Sequence, residues 1–202
     1  MLQYSSVQNK SLEISQWIIN SKIEKIENYY GRSLERYKKK LKEVESISSI
    51  LGIEGTSSKF LFEKIKDELK DTNIKFEGRD YRPPKDIVNA LLSFVYVLYY
   101  NYLYSIILSY GLDPYIGFLH TKRGTHAPLV SDLLEFKRVE LSKFAIKLLK
   151  EKEITEDDID ESFRLTNESI KKLIRKFVEY FFEDEKDQKE NNQIIQDLIG
   201  FF

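Results

Sequence analysis

The chain has 202 residues, 42% of them hydrophobic and 32% charged, enough for one large core or two small ones in a water-soluble protein. Lys and Arg number 32 against 33 Asp and Glu, a net charge of −1, so no global basic field announces nucleic acid and any polyanion site must come from local clustering. The absence of cysteine excludes disulfides, thiolate zinc sites, iron–sulfur clusters and cysteine nucleophiles.

Met1–Lys10 is polar, with no basic-then-apolar leader, and the expectation is a cytoplasmic protein. Leu12, Trp17–Ile19, Ile23 and Ile26 give a first amphipathic helix, which Gly31 interrupts. A charged helix over Arg32–Ser48 follows, carrying "RYKKKLK" on the few apolar anchors Leu34, Tyr37, Leu41 and Val44. In "LGIEGTSSKFLFEKIKDEL" two glycines bracket Ile53 and Glu54, which predicts a turn and then a helix to about Leu69. "DTNIKFEGRDYRPPKD" is turn-rich, and Pro83, Pro84 and Asp86 mark the start of a long helix that "YGLDP" stops at Gly111. That segment, Ile87–Tyr110, has no charged residue and is long enough to span a bilayer. Asn89 and Asn101 lie inside it, and tyrosines crowd its middle rather than its ends, so the reading is a central helix buried by others, with no membrane.

Both histidines, His120 and His126, lie in "GFLHTKRGTHAPLVSDLLEFKR". Ser131 then precedes a helix to about Lys150, without a capping box. Thr155 and Thr166 each precede a helical stretch, the second running to about Phe182. "EDEKDQKENNQ" reads as a solvated tract and Ile194–Phe202 as a short terminal helix. The pattern predicts an all-α, bundle-like domain over 1–182 around a central buried helix, with 183–202 as charged tract and C-terminal helix.

Asp132 and Glu135 are three apart and share a helix face, with His120 on the segment before it. Imidazole plus carboxylates suits Mg²⁺ or Mn²⁺, and less specifically Zn²⁺. Such a pair occurs equally on a solvated face, and a lone histidine is commonly structural, so spacing alone leaves both readings open. Glu54 is open in the same way, as a turn glutamate or a carboxylate aimed inward. Arg79, Arg82 and Lys85 surround Tyr81, and Lys122, Arg123, Lys137 and Arg138 follow. A loop-borne basic set with an aromatic can hold phosphates and stack a base, or serve solubility.

"LLGIEGTSSKFLFE", "GRDYRPPKDIVNALLSFVYVLYYNYL", "GLDPYIGFLH" and "SDLLEFKR", in this order from about Leu12 to Leu165, resemble the CRISPR-associated endonuclease/integrase of spacer acquisition, the Cas1 family. The resemblance implies a Mg²⁺ or Mn²⁺ site held by Glu54, His120 and Glu135, with Asp132 beside it in a supporting or second-metal role. It implies DNA-facing or site-supporting positions at Arg79, Tyr81, Asn89 and Tyr99, with Lys122 and Arg138 added on the DNA side. The implied chemistry is attack of a prespacer 3′-hydroxyl on a repeat phosphodiester, and cleavage of branched DNA by the reverse. The implied partners are double-stranded and branched DNA, the small ferredoxin-like Cas2 and a second copy of the chain. A typical member has a β-rich domain ahead of the helical one. The sequence begins about where the helical domain begins, which puts dimerisation and integration in question. The alternatives are a catalytically inactive DNA-binding or scaffold fragment of the same family, and a plain helical interaction module.

Overall fold

A computed structural model describes residues 2–80, 83–122, 124–183 and 185–202, except the side chain of Gln8. Among these residues there are eight α-helices and no strand, with 71% of the chain helical, as the sequence predicts. They are α1 (Leu2–Tyr30), α2 (Glu35–Glu43), α3 (Ile47–Leu69), α4 (Ile87–Ser109), α5 (Pro128–Leu134), α6 (Arg138–Lys150), α7 (Asn167–Phe182) and α8 (Lys186–Gly200). Short 3-10 turns occupy Glu135–Lys137 and Glu156–Asp158.

The chain divides into two compact units. The first comprises Met1–Leu61, Leu98–Val139 and Ile194–Phe202; the second comprises Phe62–Val97 and Glu140–Gln193. In the first, α1 buries Ile14, Ile18, Ile19, Ile23 and Ile26, a helical stripe that fixes which face turns inward. Lys22 lies on that same buried stripe. Gly31, at φ 61°, ends the helix, its N–H bonding the Glu27 carbonyl at 2.8 Å. Gln16 donates to the Leu41 carbonyl at 2.9 Å and ties down the C-terminal end of α2. Trp17 packs between Phe136 and Phe201 at 4.7 and 5.4 Å. The second unit has its own aromatic core, in which Phe144, Phe177 and Phe181 lie 4.8–6.0 Å apart.

α3 departs from expectation. It begins at Ile47 and runs through "GIEG", so Glu54 is a helical residue and not a turn glutamate. Each helical glycine costs about 1 kcal/mol relative to alanine. The buried series Ile50, Ile53, Ser57, Leu61 and Ile65 recurs at three and four residues and carries the helix across both.

α4 follows the expected bounds. Asp86 caps it by accepting from the Asn89 backbone N–H at 2.7 Å. Gly111, at φ 72°, ends it with a six-to-one bond from Leu112 N–H to the Ile107 carbonyl at 3.2 Å. Its first turns are buried nearly all round, through Ile87, Val88, Asn89, Ala90, Leu91 and Leu92. Beyond Tyr96 the buried positions narrow to Tyr99, Leu103 and Ile107, one per turn, while Asn101 and Ser105 are exposed. The helix is apolar enough to cross a bilayer by length and hydropathy, a test that core helices also pass.

Further boundaries differ, and of the helix expected over Arg32–Ser48, α2 covers only Glu35–Glu43. The helix expected from Ser131 starts at Pro128, whose missing N–H suits a first helical position, and it tightens into the 3-10 turn at Glu135 before α6. The tract expected to be solvated is helical from Lys186, because Asp187 and Asn191 continue the buried stripe of Ile194, Ile195 and Leu198. Asn191 Nδ2 donates to Asp187 Oδ2 at 2.9 Å, which satisfies both groups inside.

Candidate metal centre

The site residues of the first unit come from three places: α1, α3, and the Gly117–Arg138 segment. Asp132 organises the last of these. It is fully buried, and its Oδ2 accepts from the backbone N–H groups of Phe118 and Leu119 at 2.6 and 3.1 Å. Its Oδ1 accepts from the His120 N–H at 2.9 Å and pairs with His120 Nδ1 at 2.8 Å. One carboxylate therefore pins the backbone of "GFLH" and orients its imidazole. With Nδ1 committed, Nε2 is the ring nitrogen left for a ligand. Gly117 makes this approach possible, since a Cβ there would lie 2.7 Å from Pro128 Cβ and 3.0 Å from Asp132 Oδ2. Burial pulls the His120 pKa down, but the hydrogen bond to Asp132 and the charges of Asp132, Glu135 and Glu54 outweigh it and raise the value above that of a free histidine.

Glu135 is buried at the 3-10 turn, where the tightened helix presents it toward α1. Its Oε1 accepts from Arg138 Nε at 3.0 Å and its Oε2 from Lys22 Nζ at 2.6 Å. Burial would raise its pKa, but the Lys22 and Arg138 charges prevail and bring it down to about 2. Glu54, one-fifth exposed, reaches in from α3, and its Oε1 lies 2.6 Å from the same Lys22 Nζ. Ser58, one turn on, contacts both Lys22 Nζ at 2.6 Å and Glu54 Oε1 at 2.7 Å. Lys22 is wholly buried; burial would lower its pKa, and the carboxylates of Glu135 and Glu54 overcome this and raise it. The Glu54 and Glu135 carboxylates thus already converge on one cation, the Lys22 ammonium, with His120 within electrostatic reach of both. Two carboxylate oxygens and an imidazole nitrogen suit a hard divalent ion of the Mg²⁺ or Mn²⁺ type.

Spacing did not reveal Lys22 or Ser58. Ser58 sits four after Glu54 on α3, a neighbour once the segment is known to be helical, whereas Lys22 has no local signal because its partners lie 32 and 113 residues away.

Among the residues expected on the DNA side, Lys122 is exposed, with its ammonium 4.7 Å from the Tyr115 ring centroid, and Arg138 is partly exposed beside Glu135. Asn89 and Tyr99 have no exposed surface, so neither offers a face to a duplex. Asn89 instead latches the loop of the second unit. Its Nδ2 donates to the Gly78 carbonyl and Asp86 Oδ2 at 2.9 and 2.7 Å, and its Oδ1 accepts from the Asp80 N–H and Arg79 Nη1 at 2.9 and 2.8 Å. Arg79 Nη2 also donates to Ser93 at 2.8 Å, which commits the guanidinium to the loop. Lys137, grouped with the basic residues by sequence, is wholly buried with its ammonium 6.0 Å from the Tyr99 ring centroid. Tyr81, Arg82 and Arg123 lie outside the described residues. His126 pairs with Ser131 Oγ at 2.8 Å and stacks on Tyr100. In the second unit, Glu140, Asp187 and Glu190 bring carboxylate oxygens within 4.8 Å of one another, a cluster that spacing did not flag.

Among the described residues the fold is all-helical, and Glu54 and Glu135 meet a buried cation with His120 in electrostatic reach, a donor set that suits a divalent ion. The profile of the CRISPR associated protein Cas1 family matches residues 1–179. The chain belongs to the Cas1 family. It is 32% identical to a CRISPR-associated endonuclease Cas1 of Methanospirillum hungatei, over 85% of this chain and 52% of that protein. A CRISPR-associated endonuclease Cas1 of Leptospira interrogans is 30% identical, over 87% of this chain and 79% of that protein. The solved structure of a Cas1 protein from Thermotoga maritima superposes with a TM-score of 0.83 at 28% identity, covering 90% of this chain and 60% of that one. A casposase bound to its integration product superposes at 0.72 with 25% identity, over 89% of this chain and 55% of that one. The chain spans about half the length of several curated relatives it matches.

Proposed function

We propose that this chain carries the catalytic centre of a divalent-metal-dependent DNA endonuclease/integrase of CRISPR adaptation, which joins prespacer 3′-hydroxyl ends to the repeat by transesterification. The observation that carries this reading is the convergence of Glu54 and Glu135 on one cation position, in electrostatic reach of a histidine whose Nδ1 is held by Asp132. Glu54, His120 and Glu135 are the metal ligands, and Asp132 is the positioning residue that holds His120 in register. All four polar contacts of Asp132 face the "GFLH" segment, which favours this role over a place on a second metal. When bound, the ion neutralises the scissile phosphate and stabilises the charge that develops on it.

Lys122 and Arg138 are the candidate phosphate contacts among the described residues. Arg79 and Asn89 tie Gly78, Asp80 and Asp86 to α4 and act on DNA by positioning that segment. Double-stranded and branched DNA as substrates, and Cas2 as partner, belong to the same proposal. Their support is the family, together with the shared fold of a Cas6-RT-Cas1–Cas2 complex at a TM-score of 0.81.

The test is a Mn²⁺ titration by calorimetry with wild type, Glu54→Ala and His120→Ala, each shown to be folded by circular dichroism, followed by nicking and strand-transfer assays on branched DNA. Binding and turnover in wild type, lost in both variants, is the expected result. Turnover that persists in either variant sinks the assignment. Salt-sensitive DNA binding without turnover in Mn²⁺ would mark the chain as a scaffold.

A further inference from the structure

Lys22 is wholly buried, and its three N–H donors meet three acceptors, Glu54 Oε1, Ser58 Oγ and Glu135 Oε2, each at 2.6 Å. Two of the three are carboxylates from different elements, the pair assigned above as metal ligands. Both Glu135 oxygens are engaged, Oε1 by Arg138 and Oε2 by Lys22. The contacted Glu54 oxygen is doubly engaged, since Ser58 accepts from the ammonium and donates to that same Oε1 at 2.7 Å. A Mg²⁺-sized ion needs its oxygens at about 2.0–2.1 Å, a distance that leaves no room for an ammonium between the same two carboxylates. We propose that Lys22 is a built-in counter-cation, and that a divalent ion enters this site by displacing its ammonium from Glu54 and Glu135.

The inference rests on the metal-site reading and extends it. Two carboxylates converging in a protein interior repel each other and resist desolvation unless a cation accompanies them. Lys22 supplies that cation until a metal ion arrives and keeps the ligands drawn together. The same contacts oppose the metal, since the ion must break them before it binds. Lys22 therefore stabilises the fold and weakens apparent metal affinity together. Lys22 bridges the pair, whereas the Arg138 Nε contact reaches Glu135 Oε1. The lysine stem has four rotatable carbons, so the ammonium can withdraw without moving α1.

The test is a Mn²⁺ titration of the full chain by calorimetry, with melting curves at each metal concentration, for wild type, Lys22→Gln and Ser58→Ala. Gln keeps a polar donor, one bond shorter than the ammonium, and removes the charge. Ser58→Ala removes one of the three anchors of the ammonium and leaves every charge in place. Lys22→Gln is expected to bind Mn²⁺ about tenfold more tightly than wild type, and Ser58→Ala about two- to threefold more tightly. The Mn²⁺-induced rise in Tm should increase in both variants. Adding His120→Ala to Lys22→Gln should abolish the gain, which locates it at this site. Binding by folded Lys22→Gln that is unchanged or weaker overturns the exchange and leaves the metal site standing. Binding by Lys22→Gln where wild type shows none supports it in its strongest form. No binding by any folded protein removes both the metal site and the exchange. Where Lys22→Gln does not fold, Ser58→Ala decides, and the absence of tightening there overturns the proposal.

Discussion

Glu135 shows how a single side chain carries opposing demands. Its pKa falls from an ordinary 4.5 to about 2 because two cations outweigh its burial. The folded state therefore binds that proton less readily than the unfolded state, and the ionised carboxylate stabilises the fold above pH 4.5. That contribution, about 3 kcal/mol at neutral pH, is lost as pH falls from about 4.5 toward 2. Glu135→Gln should accordingly be less stable than wild type at pH 7, and the gap should narrow as the pH drops below 4.5. Urea unfolding of both proteins at pH 7, 4 and 3 measures this, and a gap that stays constant across the series would show that the Lys22 and Arg138 contacts do not hold the carboxylate ionised. The residue scale is also where the sequence was least legible. Asp132 and His120 lie 12 apart, and a reader can bring them together through one turn. Lys22 and Glu135 are 113 apart, and nothing in "INSKIEK" distinguishes a buried cation from the solvated lysines around it.

Helices are the scale at which the sequence spoke most clearly, because apolar spacing reports directly on which face is buried. α1, α4 and α7 were legible in this way, with Gly31, Asp86, Gly111 and Thr166 as their punctuation. Misreadings came where a local preference opposed a longer pattern. The glycines of "GIEG" suggest a turn, yet α3 runs through them, since both sit on exposed positions and the buried stripe beneath is unbroken. The tract after Phe182 looks solvated by charge, yet Asp187 and Asn191 pair with each other and enter the interior. Gly117 is the glycine whose smallness the site does require. A methyl group there meets the Pro128 ring at 2.7 Å and the His120 carbonyl at 3.0 Å, and a proline ring cannot swing aside. Gly117→Ala should cost about 1–3 kcal/mol. It should also weaken Mn²⁺ binding, because the shift that relieves the contact moves the segment that Asp132 anchors. A melting curve paired with a metal titration checks this. A variant as stable and as competent as wild type would mean that the segment adjusts without involving the site.

At the scale of the whole molecule, charge limits what the chain can do with a polyanion. A net charge of −1 provides no long-range attraction to DNA, so affinity has to be assembled from a few local cations while the carboxylates of the site oppose it. Each phosphate a cation neutralises adds about −0.9 to the slope of log affinity against log salt. Two such contacts make binding about tenfold weaker between 50 and 200 mM salt, and more contacts steepen the loss. Some of the chain's cations are unavailable for this. Lys22 and Lys137 are buried, and Arg79 is committed to its loop. Lys122 is different, being exposed and lying two residues after His120, close to where a scissile phosphate would sit. Lys122→Ala should therefore lower the salt slope of duplex binding by about 1 and weaken binding without regard to sequence. Lys172→Ala, on the exposed face of α7, is the matched control and should leave the slope unchanged. Fluorescence anisotropy on a labelled branched duplex over that salt range reads both. Equal slopes for wild type and Lys122→Ala would remove Lys122 from the DNA surface. A slope near zero for wild type would mean that this chain, which spans only about half of several relatives, does not hold DNA by itself.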